Sequence, residues 1–122
     1  MITLTVPLPS NRANSSVGGW VMRYRDGQQF DKQAVARTNP RPPATPLTRV
    51  RVAYHVVHGG NLMDWDNLFA RLKHAQDWLV KAGYLVDDNS KVIPECPVVT
   101  QTPKAKKPDR RVEITITPLE MP

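Results

Sequence analysis

Residues 64–88 begin Asp64-Trp65-Asp66-Asn67-Leu68 and end Gly83-Tyr84-Leu85-Val86-Asp87-Asp88, with a helical pattern between the two quoted segments. Five of the protein's 11 acidic residues lie in this stretch, although the chain as a whole is basic, with 17 Lys and Arg residues and a net charge of +6. A cluster of carboxylates in a basic chain suits a metal site that works on a polyanion, or the capping and solvation of a helix.

The middle of the stretch has the spacing of an amphipathic helix. Its apolar residues recur at intervals of three and four, at Trp65, Leu68, Leu72, Ala75, Leu79 and Ala82. This spacing predicts one apolar face. Asp66 or Asn67 is expected to cap the start of the helix, and Gly83 to end it. Lys73 lies two turns after Asp66 on the polar face, and Asp77 is its i,i+4 neighbour.

Acidic pairs flank this helix on both sides. Asp64 and Asp66 point to the same side if their segment is extended. Asp87 and Asp88 can join them only if the chain turns back along the helix. Carboxylates grouped in this way suit Mg²⁺, which takes oxygen ligands and assists phosphodiester cleavage by polarising the phosphoryl group and activating a water. On the residues alone, a solvated helix face with a capping aspartate explains the pattern equally well.

The ordered series resembles the RusA family, which are small Holliday-junction-resolving endodeoxyribonucleases common in phages and prophages. The matching positions are Asp64-x-Asp66-Asn67-Leu68, Lys73, Asp77, Leu79, Gly83 and Asp87-Asp88. The resemblance is clear over about residues 61–95 and extends more weakly to residues 7–11 and 110–117. It implies that Asp64, Asp66 and Asp88 bind the metal ion, that Lys73 is the catalytic lysine, and that Asp87 is a helper or a turn residue.

The resemblance also implies an activity and its partners. It implies an Mg²⁺-dependent endonuclease, with Mn²⁺ as a substitute, that cuts four-way DNA junctions as a homodimer in the cytoplasm of a bacterial host. A two-fold dimer suits a four-way junction because resolution needs two matched cuts. The alternatives are a non-catalytic DNA-binding phage accessory protein with the same fold, and a small basic RNA-associated module whose acids only cap helices.

Alternating apolar and polar residues predict strands over residues 2–8, 49–58, 91–100 and 110–118. Pro94 and Pro97 interrupt the third, which is therefore expected to be an edge strand or a bulged one and to form a hairpin with the fourth. A short strand or hairpin arm near 20–25 and a helix over 28–38 complete the series. We therefore expect a single α+β domain over residues 1–122, with one mixed sheet and helices packed on one face, similar to the RusA family.

Three flexible loops are expected, near residues 10–19, 39–48 and 101–109, the second stiffened by its prolines. Basic and polar residues in and beside these loops are candidates for contact with nucleic acid: Arg12, Asn14, Arg23, Arg25, Lys104, Lys106 and Lys107. Turn formation, core packing and plain solvation remain open as explanations for them.

Few other side chains suggest chemistry. His55 and His58 would lie on opposite faces of their strand, so no zinc site is expected there. The single Cys96 excludes an internal disulfide and suits a reducing compartment. No apolar run approaches the length of a membrane-spanning helix, so no membrane partner is expected.

Overall fold

The computed structural model describes residues 1–9 and 42–119. Its elements, in chain order, are strand β1 (Ile2–Val6), strand β2 (Val50–Val57), helix α1 (Trp65–Lys81), strand β3 (Val98–Thr102), a 3-10 turn (Lys107–Asp109) and strand β4 (Arg111–Pro118). The four strands form one mixed sheet in the order β1-β4-β2-β3. Sheet and helix together are the α+β arrangement predicted from the sequence.

Several predicted features lie outside the described residues. They are the loop near 10–19, the strand or hairpin arm near 20–25, the helix over 28–38, and the candidate nucleic-acid contacts Arg12, Asn14, Arg23 and Arg25.

The register of the sheet places one apolar row across all four strands. Strand β4 pairs antiparallel with β1 and with β2, and β2 pairs in parallel with β3. Leu4 lies opposite Ile114, Ile114 opposite Tyr54, and Tyr54 opposite Val99. All four side chains are buried. Because side chains alternate along a strand, the same register confirms the predicted inward faces of β1, β2 and β4.

Helix α1 contributes to the core formed by this row. Its buried residues belong to the same apolar cluster as those of the sheet: Leu68, Leu72, Ala75, Trp78 and Leu79. Trp78 was absent from the predicted stripe, yet it is buried and packs against Tyr84 with ring centroids 5.5 Å apart. Trp65 was included, yet it is 61% exposed. The apolar spacing of a helix therefore does not by itself predict that a residue in the first turn is buried.

The two ends of α1 differ in how well the sequence predicts them. The N-cap is Asp64, not Asp66 or Asn67, and the helix begins with the bond from the Leu68 N–H to the Asp64 carbonyl. The predicted ending at Gly83 is confirmed, since this residue has a φ of 92°. Tyr84 N donates to Leu79 O at 3.0 Å and Gly83 N to Val80 O at 3.1 Å. These two bonds form a Schellman cap, which needs the left-handed backbone that glycine adopts easily.

The predicted hairpin between the third and fourth strands is wrong. Residues 91–97 form no strand, and β3 begins directly after Pro97 and extends to Thr102. Within residues 1–9 and 42–119 it pairs with β2 alone, and β2 separates it from β4. The prediction failed because β4 already uses one edge for β1 and the other for β2. In the described sheet β3 is the strand at the edge, but it contains neither of the prolines on which the edge prediction was based.

A crossing connection takes the place of that hairpin turn. Residues 103–110 pass over the carboxyl end of β2, where Lys104 N donates to Gly60 O and Ala105 N to His58 O. Lys104 has a φ of 58°, a conformation that a non-glycine residue adopts at some cost. The crossing places Arg110 against Gly59, directly after β2.

No helix within the described part of the chain is long and apolar enough to cross a membrane.

Candidate functional site

The first two aspartates lie at the start of α1, where the chain arrives from the carboxyl end of β2. Asp64 is the N-cap residue and Asp66 lies in the first turn, and both are exposed. The Asp64 side chain makes no capping hydrogen bond. The positive end of the helix dipole favours negative charge at this position. The structure therefore leaves two neighbouring carboxylates available to bind a cation.

Gln101 fixes the backbone that leads into these aspartates. Its side-chain Oε1 accepts a hydrogen bond from Met63 N at 3.0 Å, and its Nε2 donates to Met63 O at 3.0 Å. His58 Nε2 lies 2.9 Å from the same Oε1. Sequence reasoning missed this role, because a single glutamine in a strand pattern carries no signal that it will hold a loop 38 residues away.

Lys73 lies further along the exposed side of α1. It follows Asp66 by seven residues, which corresponds to ~10 Å along the helix axis. Lys73 is exposed, and it forms no salt bridge with Asp77, although both residues are described. The i,i+4 ion pair that would make Lys73 a purely structural residue is therefore not formed.

Asp87 and Asp88, the acidic pair after the helix, have different surroundings. Asp87 accepts a hydrogen bond from Asp88 N at 2.8 Å and one from Asn89 Nδ2 at 3.1 Å, so its carboxylate holds a turn. Asp88 lines a cavity of about 340 Å³ together with Gln76 and Glu95. Of the two predicted roles for Asp87, the local hydrogen bonds favour that of a turn residue.

Asp88 lies near the fourth turn of α1 and not near its start. Burial first, and then the charges of Asp88 and Asp77, raise the pKa of Tyr54. The Tyr54 hydroxyl donates to Gln76 Oε1 at 3.0 Å. Gln76 follows Asp66 by ten residues, or ~15 Å along the helix axis. The chain therefore turns back along the helix as expected, but it brings Asp88 to the cavity that Gln76 lines and not to the first aspartates.

The described residues do not form a metal site with three carboxylate ligands. No group of three or more His, Cys, Asp or Glu side chains lies close enough together there to hold a metal ion. The donor chemistry of Asp64 and Asp66 alone still fits Mg²⁺, which proteins often bind through one or two carboxylates while substrate phosphate supplies further oxygens.

The histidines and lysines occupy distinct surroundings. His55 lies between Thr100 Oγ1, at 2.6 Å from its Nδ1, and Thr102 Oγ1, at 2.8 Å from its Nε2. His58 is fully buried. The candidate phosphate contacts Lys104, Lys106 and Lys107 are exposed on the crossing connection.

The raised pKa of Tyr54 gives a prediction for alkaline stability. The usual pKa of a tyrosine is 10.0, and the folded protein holds Tyr54 above that value. Its contribution to stability is fully present below pH 10 and is lost as the pH rises towards the folded pKa, because only the unfolded chain releases the proton there. Between pH 9 and 11, wild type should lose about 1 kcal/mol more of its free energy of unfolding than Tyr54→Phe.

Urea titration of both proteins at pH 9, 10 and 11 measures this difference. Tyr54→Phe should also be about 1 kcal/mol less stable at pH 7, because it lacks the hydrogen bond to Gln76. Parallel loss of stability by both proteins above pH 10 would show that Tyr54 titrates normally.

No known protein family matches the chain, and no curated protein matches it either.

Proposed function

We propose that the protein is an Mg²⁺-dependent endonuclease that cuts branched DNA, with a RusA-like fold in which a second helix joins α1 on one face of the sheet. The observation that carries the proposal is the pair Asp64 and Asp66, two exposed carboxylates on a backbone segment held by Gln101. They lie in a chain with a net charge of +6, which attracts a polyanion.

The chemistry divides among residues of α1 and the segment before it. Asp64 and Asp66 would hold Mg²⁺, which when bound polarises the phosphoryl group and lowers the pKa of a water. Lys73, exposed and not paired with Asp77, contacts the phosphate on which negative charge develops. Asp88 is proposed as a third ligand on the family resemblance alone, since in the structure it lines a separate cavity with Gln76 and Glu95.

The substrate proposal follows from the same resemblance and from the charge of the chain. Acidic ligands repel a DNA backbone unless a cation and nearby basic residues compensate. Lys104, Lys106 and Lys107 supply positive charge on the connection that crosses the carboxyl end of β2. Arg12, Asn14, Arg23 and Arg25 remain proposed contacts to DNA.

A labelled four-way junction, incubated with and without Mg²⁺ beside a linear duplex of the same sequence, tests the proposal. We expect cutting of the junction in Mg²⁺ and little cutting of the duplex. Binding to the junction without cutting in Mg²⁺ or Mn²⁺ would instead support the alternative of a non-catalytic DNA-binding protein.

The homodimer is part of this proposal and has its own prediction. Large apolar side chains near the start of α1 are exposed: Leu62 is 72%, Trp65 61% and Phe69 42% exposed. Their burial between two copies would stabilise a dimer. At micromolar concentration, sedimentation equilibrium should give a mass of roughly twice 13.8 kDa.

Phe69→Glu should weaken this dimer without loss of the fold, because the side chain lies outside the core. Circular dichroism provides the control for folding. A single 13.8 kDa species for wild type, even with DNA present, would reject the dimer.

A further inference from the structure

A basic cavity lies beside the aspartates, at the carboxyl end of β2. It has a volume of about 470 Å³, and its lining includes His58, Gly59, Gly60, Arg71 and Arg110 but no acidic residue among those that the structure describes. Neither arginine was a candidate site residue in the sequence, because Arg71 lies on α1 and Arg110 follows the crossing connection. Only the fold brings them to one place.

Both arginines are held in position through only part of their guanidinium groups. Arg71 Nε donates to Pro9 O at 2.9 Å, and its Nη1 lies 3.8 Å from Met63 Sδ. Arg110 Nε donates to Ala105 O at 3.2 Å. Within residues 1–9 and 42–119, Arg71 Nη2 and both terminal nitrogens of Arg110 have no acceptor.

The two positive charges are close enough to affect each other. Burial, and then the charge of Arg110, lower the pKa of Arg71. No carboxylate of the described residues pairs with either guanidinium group. Two like charges at one cavity without an acidic partner are unfavourable until an anion binds between them.

His58 adds a third polar group to the cavity. Gln101 Oε1 is an acceptor for Met63 N and for His58 Nε2, so Nε2 of His58 carries a proton and donates it to this oxygen. Its Nδ1 is buried and has no hydrogen-bond partner in the described part of the chain. A methyl group placed on Gly60 would lie 3.8 Å from this Nδ1, so the atom lies under a glycine of the cavity wall.

Gly59 provides the space in which the Arg110 guanidinium rests. A Cβ atom at Gly59 would approach the guanidinium group of Arg110 far inside contact distance. Arg110 is exposed, so its side chain has room to move into solvent. A substitution at Gly59 therefore displaces the arginine while the sheet stays intact.

From these contacts we propose that His58, Arg71 and Arg110 form a binding site for a phosphate group of a nucleic-acid strand. The guanidinium N–H groups that have no acceptor within the described residues donate to phosphate oxygens in charge-assisted hydrogen bonds. His58 closes the buried side of the site, beneath Gly60. The phosphate is either a terminal monoester or a bridging diester of the strand, and both share this chemistry.

The site does not require the nuclease proposal, since it contains none of the aspartates or Lys73. The test is therefore made without divalent metal, by fluorescence anisotropy in EDTA with a labelled dT tetranucleotide. One form of the probe carries a 5′-phosphate and the other a 5′-hydroxyl group. Inorganic phosphate serves as the competitor.

Three variants separate a specific site from general attraction to a basic protein. Arg110→Gln and Lys91→Gln each remove one exposed positive charge, but only Arg110 lines the cavity, and Lys91 is not among the proposed DNA contacts. Gly59→Ala changes no charge. We expect Arg110→Gln to weaken binding about tenfold and Gly59→Ala several-fold, whereas Lys91→Gln changes it less than about twofold.

The outcomes distinguish the two sources of phosphate. Preference for the 5′-phosphorylated probe assigns the site to a terminal monoester, and equal binding of both probes with competition by phosphate assigns it to a bridging diester. Equal losses in Arg110→Gln and Lys91→Gln would overturn the proposal in favour of diffuse electrostatic attraction. Failure of wild type to bind either probe would also overturn it, and neither result decides whether Asp64 and Asp66 support cutting.

Discussion

Asp64→Asn and Asp66→Asn should each reduce the rate of junction cutting by roughly 100-fold or more, while binding to the junction stays intact or becomes tighter. An amide keeps the size of the carboxylate but loses the charge that binds Mg²⁺. It also loses the repulsion between the carboxylate and DNA phosphate. Single-turnover cutting and gel-shift binding, measured on the same protein preparations, separate these two effects.

The matched control is Asp109→Asn, which removes one exposed carboxylate from the 3-10 turn, a different segment from the aspartates at α1. It should cut at the wild-type rate. All three variants should stay folded and lose at most about 1 kcal/mol of stability, because the Asp64 side chain makes no capping bond, Asp66 is exposed, and the favourable effect of the helix dipole on each charge is small. Wild-type cutting by either Asp64→Asn or Asp66→Asn would remove that residue from the site.

Lys73→Ala should lower the cutting rate by about 10- to 100-fold with little change in the free energy of unfolding. Its side chain is exposed and forms no ion pair with Asp77, so its removal costs little packing or pairing energy. Lys73→Arg should recover contact with phosphate but only part of the rate, since a guanidinium group is planar and larger than an ammonium group.

Asp77→Ala serves as the comparison for Lys73 on the same side of α1. If Lys73 acts on the substrate, Asp77→Ala should cut much faster than Lys73→Ala. If Lys73 is only a solvent-exposed residue of the helix surface, both variants should cut at rates near that of wild type. The melting temperatures of the three proteins show whether any loss comes from unfolding.

Local patterns in the sequence predict most of the described elements but not their neighbours. The alternation around Leu4, Tyr54 and Ile114 predicts which faces of β1, β2 and β4 are buried, since burial acts on each strand separately. The partner of a strand depends on residues far along the chain. For this reason, the parallel pairing of β2 with β3 was not predicted, and neither was the crossing connection that replaces the hairpin.

The same distinction applies to the candidate site. Asp64 and Asp66 are visible in the sequence because the spacing of the two carboxylates is local. The fold brings Gln101 and Arg110 close to β2 and α1. No spacing of residues in the sequence predicts that they lie there. The expectation that Asp88 joins the first aspartates depended on how far the chain after Gly83 turns back along α1. The periodicity of the helix does not determine that distance.

The most direct test of paired, Mg²⁺-dependent cutting uses a supercoiled plasmid whose inverted repeat extrudes as a four-way junction. A dimer with two equivalent sites cuts both strands before it dissociates, so wild type should convert this plasmid to linear DNA in Mg²⁺ and leave it unchanged in EDTA. The relaxed form of the plasmid, which lacks the extruded junction, should remain uncut. An intact supercoiled plasmid after incubation in Mg²⁺, or equal cutting of the relaxed form, would contradict the assignment of a junction-cutting nuclease.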